Sequence, residues 1–152
     1  MTDAVAAPTV VGPITGTQPP CGAPRTDLAA RGYVVEEFFL EGTLRGHQLR
    51  PGTEATVDGR WEVEPYGDAP YRTRLLVLRP ERSGRFNGTV VVNWQNVSAG
   101  YETSAPSDGE VYDGYAWVGV SAQEIGLYGS PLGRERFRSR RSLPLLEHDP
   151  DR

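Results

Sequence analysis

The segment Thr89-Val90-Val91-Val92-Asn93-Trp94 decides the fold class. Its first four residues are β-branched and do not alternate with polar side chains. Such a run is typical of a strand that is buried on both faces, as in the parallel part of an α/β sheet. Small and polar residues follow at once over positions 95–100, so a loop is predicted at the carboxyl end of this strand.

A second buried strand is predicted over residues 115–123, which are again mostly apolar. Between the two strands, residues 104–114 offer a helix cap and a short crossover helix, which Gly109 weakens and Gly114 ends. Strand, crossover and strand make one βαβ unit with parallel strands and a right-handed connection. The crossover is shorter than is usual for such a unit.

Upstream, residues 33–44 are rich in β-formers and Glu36-Glu37 breaks their pattern, which predicts a first strand with a bulge. A short strand is predicted over residues 60–64. Residues 71–80 form a clear strand that ends at a proline, with one wet face in its alternating first half. These early strands are expected to be antiparallel neighbours at one side of the sheet. The predicted fold class is therefore α/β, with antiparallel first strands followed by parallel strands.

The first 27 residues are rich in Pro and Gly and lack sustained apolar periodicity. Residues 1–27 are therefore expected to form an extended or partly disordered arm, within which residues 10–14 lie along the body as a short edge segment. Residues 27–32 predict one helical turn, capped by Asp27 and stopped by Gly32. Residues 28–152 are expected to be the N-terminal part of a domain that is cut within a loop.

Composition limits the class of protein. With 18 Gly and 13 Pro in 152 residues, strands joined by turns are favoured over a helical bundle. The net charge of −4 argues against a nucleic-acid-binding domain, although all 16 basic residues are Arg. No run of about 18 apolar residues and no secretory signal are visible, so no membrane span is predicted and a cytoplasmic location is expected.

Neither a metal nor a cofactor is predicted. Cys21 is the one cysteine and lies far in sequence from His47 and His148, so no disulfide or Cys-based metal site is expected. No phosphate-binding loop or dinucleotide-binding Gly motif follows either buried strand. The Arg-rich residues 134–141 are expected to be an exposed segment that pairs with acidic residues, with anion binding as the alternative.

Ligands in open α/β sheets bind beyond the carboxyl ends of the parallel strands, which places candidate sites at residues 94–100 and 121–126. In α/β hydrolases the loop after the third strand donates one backbone N–H to the oxyanion hole, and losing such a donor costs about 10²- to 10³-fold in rate. The N–H groups of Gln95, Asn96 and Val97 are the candidates. The alternative is a structural turn in which the side chains of Asn96 and Ser98 bond the local backbone.

A near-match to the nucleophile elbow lies at Gly119-Val120-Ser121-Ala122-Gln123. The elbow needs the pattern G-x-S-x-G because its turn is tight, and Gln123 stands where the second glycine belongs. Ser121 is therefore a secondary candidate nucleophile, and a strand-end serine is the favoured interpretation. The base His follows the nucleophile in this fold, so His47 does not fit, and His148 is expected to be a solvated loop residue.

Two long blocks carry a resemblance to a known family: Phe86-Asn87-Gly88-Thr89-Val90-Val91-Val92-Asn93-Trp94-Gln95-Asn96-Val97-Ser98 and Gly114-Tyr115-Ala116-Trp117-Val118-Gly119-Val120-Ser121-Ala122-Gln123. Residues 32–43 and 71–77 add its opening strands. Together, residues 10–152 resemble the bacterial "alpha/beta hydrolase domain" family. The resemblance implies the N-terminal portion of an α/β-hydrolase fold, with the catalytic Ser in an elbow beyond residue 152 and an acid and a His further on.

The resemblance maps an oxyanion loop onto Gln95, Asn96 and Val97, and it maps no member of the catalytic triad onto this chain. It implies a serine hydrolase that acts on an ester-type small molecule when complete. Composition and the missing motifs add that no cofactor and no nucleic-acid or membrane partner is expected. Residues 1–152 alone are expected to be inactive, and the oligomeric state stays open. The alternative is a non-enzymatic binding or interaction module of hydrolase-like fold that ends naturally near Arg152.

Overall fold

Five strands form one mixed sheet in the computed structural model, which describes residues 6–15, 20, 22–98, 100–103, 105–106, 109–123 and 125. In chain order the elements are β1 (Thr9–Val11), α1 (Leu28–Arg31), β2 (Tyr33–Leu49), β3 (Val63–Pro80), β4 (Val90–Trp94) and β5 (Ala116–Val120), with 3₁₀ turns at Ser83–Arg85 and Glu110–Tyr112. Across the sheet the strand order is β1-β2-β3-β5-β4. β5 therefore lies between β3 and β4.

The strand directions confirm the predicted fold class. β1, β2, β3 and β5 pair antiparallel in that spatial order, whereas β4 and β5 are parallel. The predicted edge segment near residues 10–14 is confirmed as β1, which pairs with residues 39–41 of β2. Within the described part of the chain, no helix is long and apolar enough to cross a membrane.

The predicted helical turn is confirmed as α1. The Asp27 side chain accepts a hydrogen bond from the N–H of Ala30 at 3.0 Å, which satisfies one of the donors that a helix start leaves free. Gly32 ends the helix at φ 68°, a left-handed conformation that glycine adopts without a Cβ penalty. This turn leads directly into β2.

β2 and β3 are longer than predicted and extend beyond the rest of the sheet as a two-stranded ribbon. The short strand predicted over residues 60–64 is not separate, because β3 runs without a break from Val63. Pro65 and Pro70 are tolerated within it, since the far half of β3 pairs with β2 on one side only among the described residues. The bulge predicted at Glu36-Glu37 is wrong, because these residues pair in continuous register with Val77 and Leu76; the register shift of β2 lies further along, between Arg45 and His47.

The hydrophobic core lies on one face of the sheet, under the connection from β4 to β5. Tyr33, from β2, donates its hydroxyl to the carbonyls of Val111 and Tyr115 and accepts from the N–H of Gly114. These bonds fix the end of the connection over β2 and satisfy a buried polar group. Among the described residues, the buried apolar ones are Tyr33, Leu76, Leu78, Ala105, Tyr112 and Trp117.

The prediction that the first parallel strand is buried on both faces is wrong for β4. Val92 and Trp94 are 68% and 66% exposed, and Val90 and Val91 are exposed as well. The reason is position, because β4 pairs only with β5 and lies at the edge of the described sheet. β5, which lies inside the sheet, is buried on the core face and half-buried on the other.

The predicted crossover helix is also wrong over the part that the structure describes. Only a 3₁₀ turn at Glu110–Tyr112 forms there. Gly109 precedes it at φ 90°, a conformation that cannot lie inside a right-handed α-helix. Ser104, Ser107 and Asp108, which belong to the same predicted helix, lie outside the described residues.

Candidate functional site

The two candidate loops begin side by side at one edge of the sheet. Trp94 and Val120 are register partners at the carboxyl ends of β4 and β5. Directly beyond them, the N–H of Gln95 donates to the carbonyl of Val120 at 3.1 Å. This edge is where open α/β sheets bind their ligands, so both predicted loops lie where chemistry is expected.

The loop after β4 is a closed turn held by its own backbone. The N–H of Thr103 donates to the carbonyl of Asn96 at 3.1 Å, and the N–H of Gly100 donates to the carbonyl of Val97 at 2.9 Å. The Asn96 side chain accepts from the N–H of Ser98 at 2.8 Å, which is the local backbone bonding that the structural-turn interpretation predicted for Asn96. The turn is therefore fixed in shape, as an oxyanion loop must also be.

The three candidate donors differ in whether their N–H is engaged. Gln95 donates into the sheet, to Val120. Among the described residues, the N–H groups of Asn96 and Val97 donate to no acceptor. The carbonyl of Asn96 belongs to the same planar peptide unit as the N–H of Val97. Because Thr103 holds that carbonyl, the Val97 N–H points in a fixed direction away from Thr103.

Ser121 lies in the position of a strand-end residue. It is 1% exposed; its N–H donates to the Arg74 carbonyl at 2.9 Å, and its carbonyl accepts from the Thr73 hydroxyl. Its Oγ accepts a long hydrogen bond from Nη1 of Arg74 at 3.4 Å. A guanidinium cannot take a proton, so this contact does not activate the hydroxyl as a nucleophile.

A buried polar cluster lies beneath the loop after β4, and sequence reasoning missed it. The Arg74 guanidinium, on β3, pairs through Nε with Oε1 of Glu37 on β2, and through Nη1 with Oε2 of Glu102 at 2.8 Å. The side chains of all three are at most 6% exposed. The wet face predicted for the first half of residues 71–80 is wrong at Arg74, which lies on the core face with Leu76 and Leu78.

Gln95 adds a second buried polar side chain at this edge. It is 1% exposed, and neither its Oε1 nor its Nε2 has a hydrogen-bond partner among the described residues. The amide lies against Gly119, where a Cβ would meet Nε2 of Gln95 and the ring of Trp117. The absence of a Cβ at Gly119 is therefore required for the Gln95 side chain to approach β5 and lie over it.

Of the two histidines, the cysteine and the Arg-rich segment singled out from the sequence, the structure describes His47 alone. His47 lies on the exposed far half of β2, opposite Pro65. Cys21, His148 and the Arg-rich residues 134–141 lie outside the described residues. Within the described ranges, no group of three or more His, Cys, Asp or Glu side chains could hold a metal ion.

Comparison with known families agrees with this arrangement of strands and loops. The family model described as "Alpha/beta hydrolase domain" matches residues 10–152. The chain belongs to this family. The match confirms both the predicted resemblance and the predicted α/β-hydrolase fold class. Searches of curated proteins and of solved structures gave no match.

Proposed function

We propose that this chain is the N-terminal part of a serine hydrolase that cleaves an ester-type bond in a small molecule. Membership of the alpha/beta hydrolase domain family supports a hydrolase-like fold. The observation that carries the proposal is the fixed turn after β4, with the Val97 N–H free of acceptors among the described residues. The proposal includes a cytoplasmic location and a nucleophile that lies outside residues 1–152.

In the proposed reaction, a serine hydroxyl attacks the ester carbonyl carbon while a histidine takes its proton. The carbonyl oxygen then carries a negative charge, which N–H donors at about 2.7–3.1 Å stabilise. One donor follows the nucleophile in the chain, and the loop after β4 provides the other. When the tetrahedral intermediate collapses, the alkoxide leaves with the proton from histidine, and water later releases the acid by the same steps.

We expect residues 1–152 alone to show no turnover of p-nitrophenyl acetate, because no serine among the described residues is bonded to a histidine that could activate it. The longest in-frame product of the same gene is expected to hydrolyse this ester with a serine-dependent burst. Spectrophotometric release of p-nitrophenol measures both proteins. The Ser121→Ala variant serves as the control and should leave the longer protein active. Turnover by residues 1–152 that is lost in Ser121→Ala would overturn the proposal.

A second prediction concerns the donor itself. In the active, longer protein, Val97→Pro removes the N–H and should lower kcat by about 10²- to 10³-fold, the usual effect of losing one oxyanion donor. Val97→Ala keeps the N–H and is the matched control, for which we expect kcat within about threefold of the parent. Equal losses in both variants would show that the Val97 side chain matters and that its N–H does not.

The alternative function is a binding or interaction module, and the exposed apolar side chains of β4 are the feature that favours it. The reading frame beyond residue 152 separates the two. A continuation with a G-x-S-x-G-like elbow supports the enzyme, whereas a stop codon directly after Arg152 supports the module.

A further inference from the structure

Arg74 contacts three separate parts of the chain from one buried position. Its Nε binds Glu37 of β2, and its Nη1 binds both Glu102, in the connection after β4, and Ser121, directly after β5. Its own carbonyl accepts from the Ser121 N–H. One side chain thus joins the middle of the sheet to both loops at the carboxyl edge.

Stability alone gives a weak reason for this cluster. Two carboxylates surround one guanidinium away from water, and Oε1 of Glu102 has no hydrogen-bond partner among the described residues. Apolar residues of similar volume often replace such buried ion pairs without loss of stability. The guanidinium does fix geometry, because its planar fork of donors holds its partners in set directions.

The geometry that it fixes is that of the candidate donor loop. Glu102 is bonded to Arg74, and the next residue, Thr103, donates its N–H to the carbonyl of Asn96. That carbonyl shares its peptide plane with the N–H of Val97. The chain of contacts therefore runs from Arg74 through Glu102 and Thr103 to the orientation of the Val97 N–H.

We propose that Arg74 is a positioning residue that orients the Val97 N–H toward the developing oxyanion through Glu102 and Thr103. The inference rests on the proposed function for its catalytic consequence. It goes beyond that function in assigning a role to a buried arginine that contacts no reacting atom. A mutation far from the reacting atoms that displaces a catalytic group by about 1 Å is enough to lower the rate about 10²-fold.

Amide hydrogen exchange in residues 1–152 tests the structural half of the inference without any activity. The reporters are the N–H groups of Gly100 and Thr103, which the carbonyls of Val97 and Asn96 protect. In Arg74→Met we expect both to exchange at least about 10-fold faster, with a smaller change in Arg74→Lys, which keeps the charge but loses the fork. If Arg74→Met does not fold, Glu102→Gln carries the same test.

Arg79→Met is the matched control. Arg79 also lies on β3 and pairs with a β2 carboxylate, Glu36, at 2.7 Å, but it is partly exposed, and its hydrogen bonds among the described residues go to Glu36 and the carbonyl of Pro80. In Arg79→Met we expect the N–H groups of Gly100 and Thr103 to exchange at the same rates as in the parent protein. Equal exchange in Arg74→Met, Glu102→Gln and Arg79→Met would overturn the inference.

Kinetics in the longer protein test the catalytic half. A positioning role predicts that Arg74→Met lowers kcat for p-nitrophenyl acetate by about 10²-fold while KM stays within about threefold, and that Arg74→Lys restores part of kcat. If Arg74 only stabilises the fold, Arg74→Met should reduce the fraction of active molecules and lower the activity in part, and Arg74→Lys should not restore it. Absence of hydrolysis by the parent protein would overturn the proposed function, and the exchange result would still decide whether Arg74 orients the loop.

Discussion

Replacement of Trp117 by alanine is expected to lower the free energy of unfolding by about 3–5 kcal/mol. Trp117 lies on β5 at the centre of the core face, is 4% exposed, and is the register partner of Leu78 on β3 and of Val91 on β4. Its ring also lies over Gly119, so the alanine variant leaves a cavity in a closely packed part of the core. Urea unfolding followed by far-ultraviolet circular dichroism measures the loss.

Trp61→Ala provides the matched control for this prediction. Trp61 is exposed in the connection between β2 and β3, and its Nε1 donates to the nearby carbonyl of Thr56. Its replacement should change the free energy of unfolding by no more than about 1 kcal/mol, the worth of one local hydrogen bond. A similar loss in both variants would contradict a core centred on β5, since the same residue type is removed in each.

The local patterns of the chain predicted most of the strands correctly. Asp27 and Gly32 marked the ends of α1, and the proline at position 80 marked the end of β3. The alternating first half of residues 71–80 favoured antiparallel pairing for β3, and the apolar runs of β4 and β5 favoured their parallel pairing. The antiparallel pairing of β5 with β3 was not indicated by either pattern. Burial at β4 could not be predicted in this way, because an apolar run reports what a strand is suited to and not which neighbours cover it.

The candidate site was predictable in place but not in detail. The loop after β4 was predicted as a candidate because it follows an apolar run. In an open α/β sheet, the loops at the carboxyl ends of the parallel strands lie at one edge, where ligands bind. Arg74 was missed because Arg72 and Arg74 occupy equivalent positions in the alternating sequence of β3, although Arg72 is exposed and Arg74 is buried. What distinguishes Arg74 is its pair of carboxylate partners, Glu37 and Glu102, which lie 37 and 28 residues away in sequence.

The exposed face of β4 leads to the second large prediction. Val92→Lys is expected to affect the free energy of unfolding very differently in residues 1–152 and in the longer protein. In residues 1–152, Val92 is 68% exposed beside Trp94, and the substitution should change the free energy of unfolding by less than about 0.5 kcal/mol. Urea unfolding followed by far-ultraviolet circular dichroism measures this change in the free energy of unfolding.

In the longer protein the same substitution is expected to cost about 3–5 kcal/mol, because further parts of an α/β-hydrolase fold would cover β4 and leave the lysine charge buried and unpaired. Val57→Lys is the control, since Val57 is fully exposed in the connection between β2 and β3 and should tolerate lysine in both proteins. A small cost of Val92→Lys in both proteins would mean that β4 stays an open edge. The apolar run that predicts the fold would then be a binding surface, and the interaction module would be the better account of this chain.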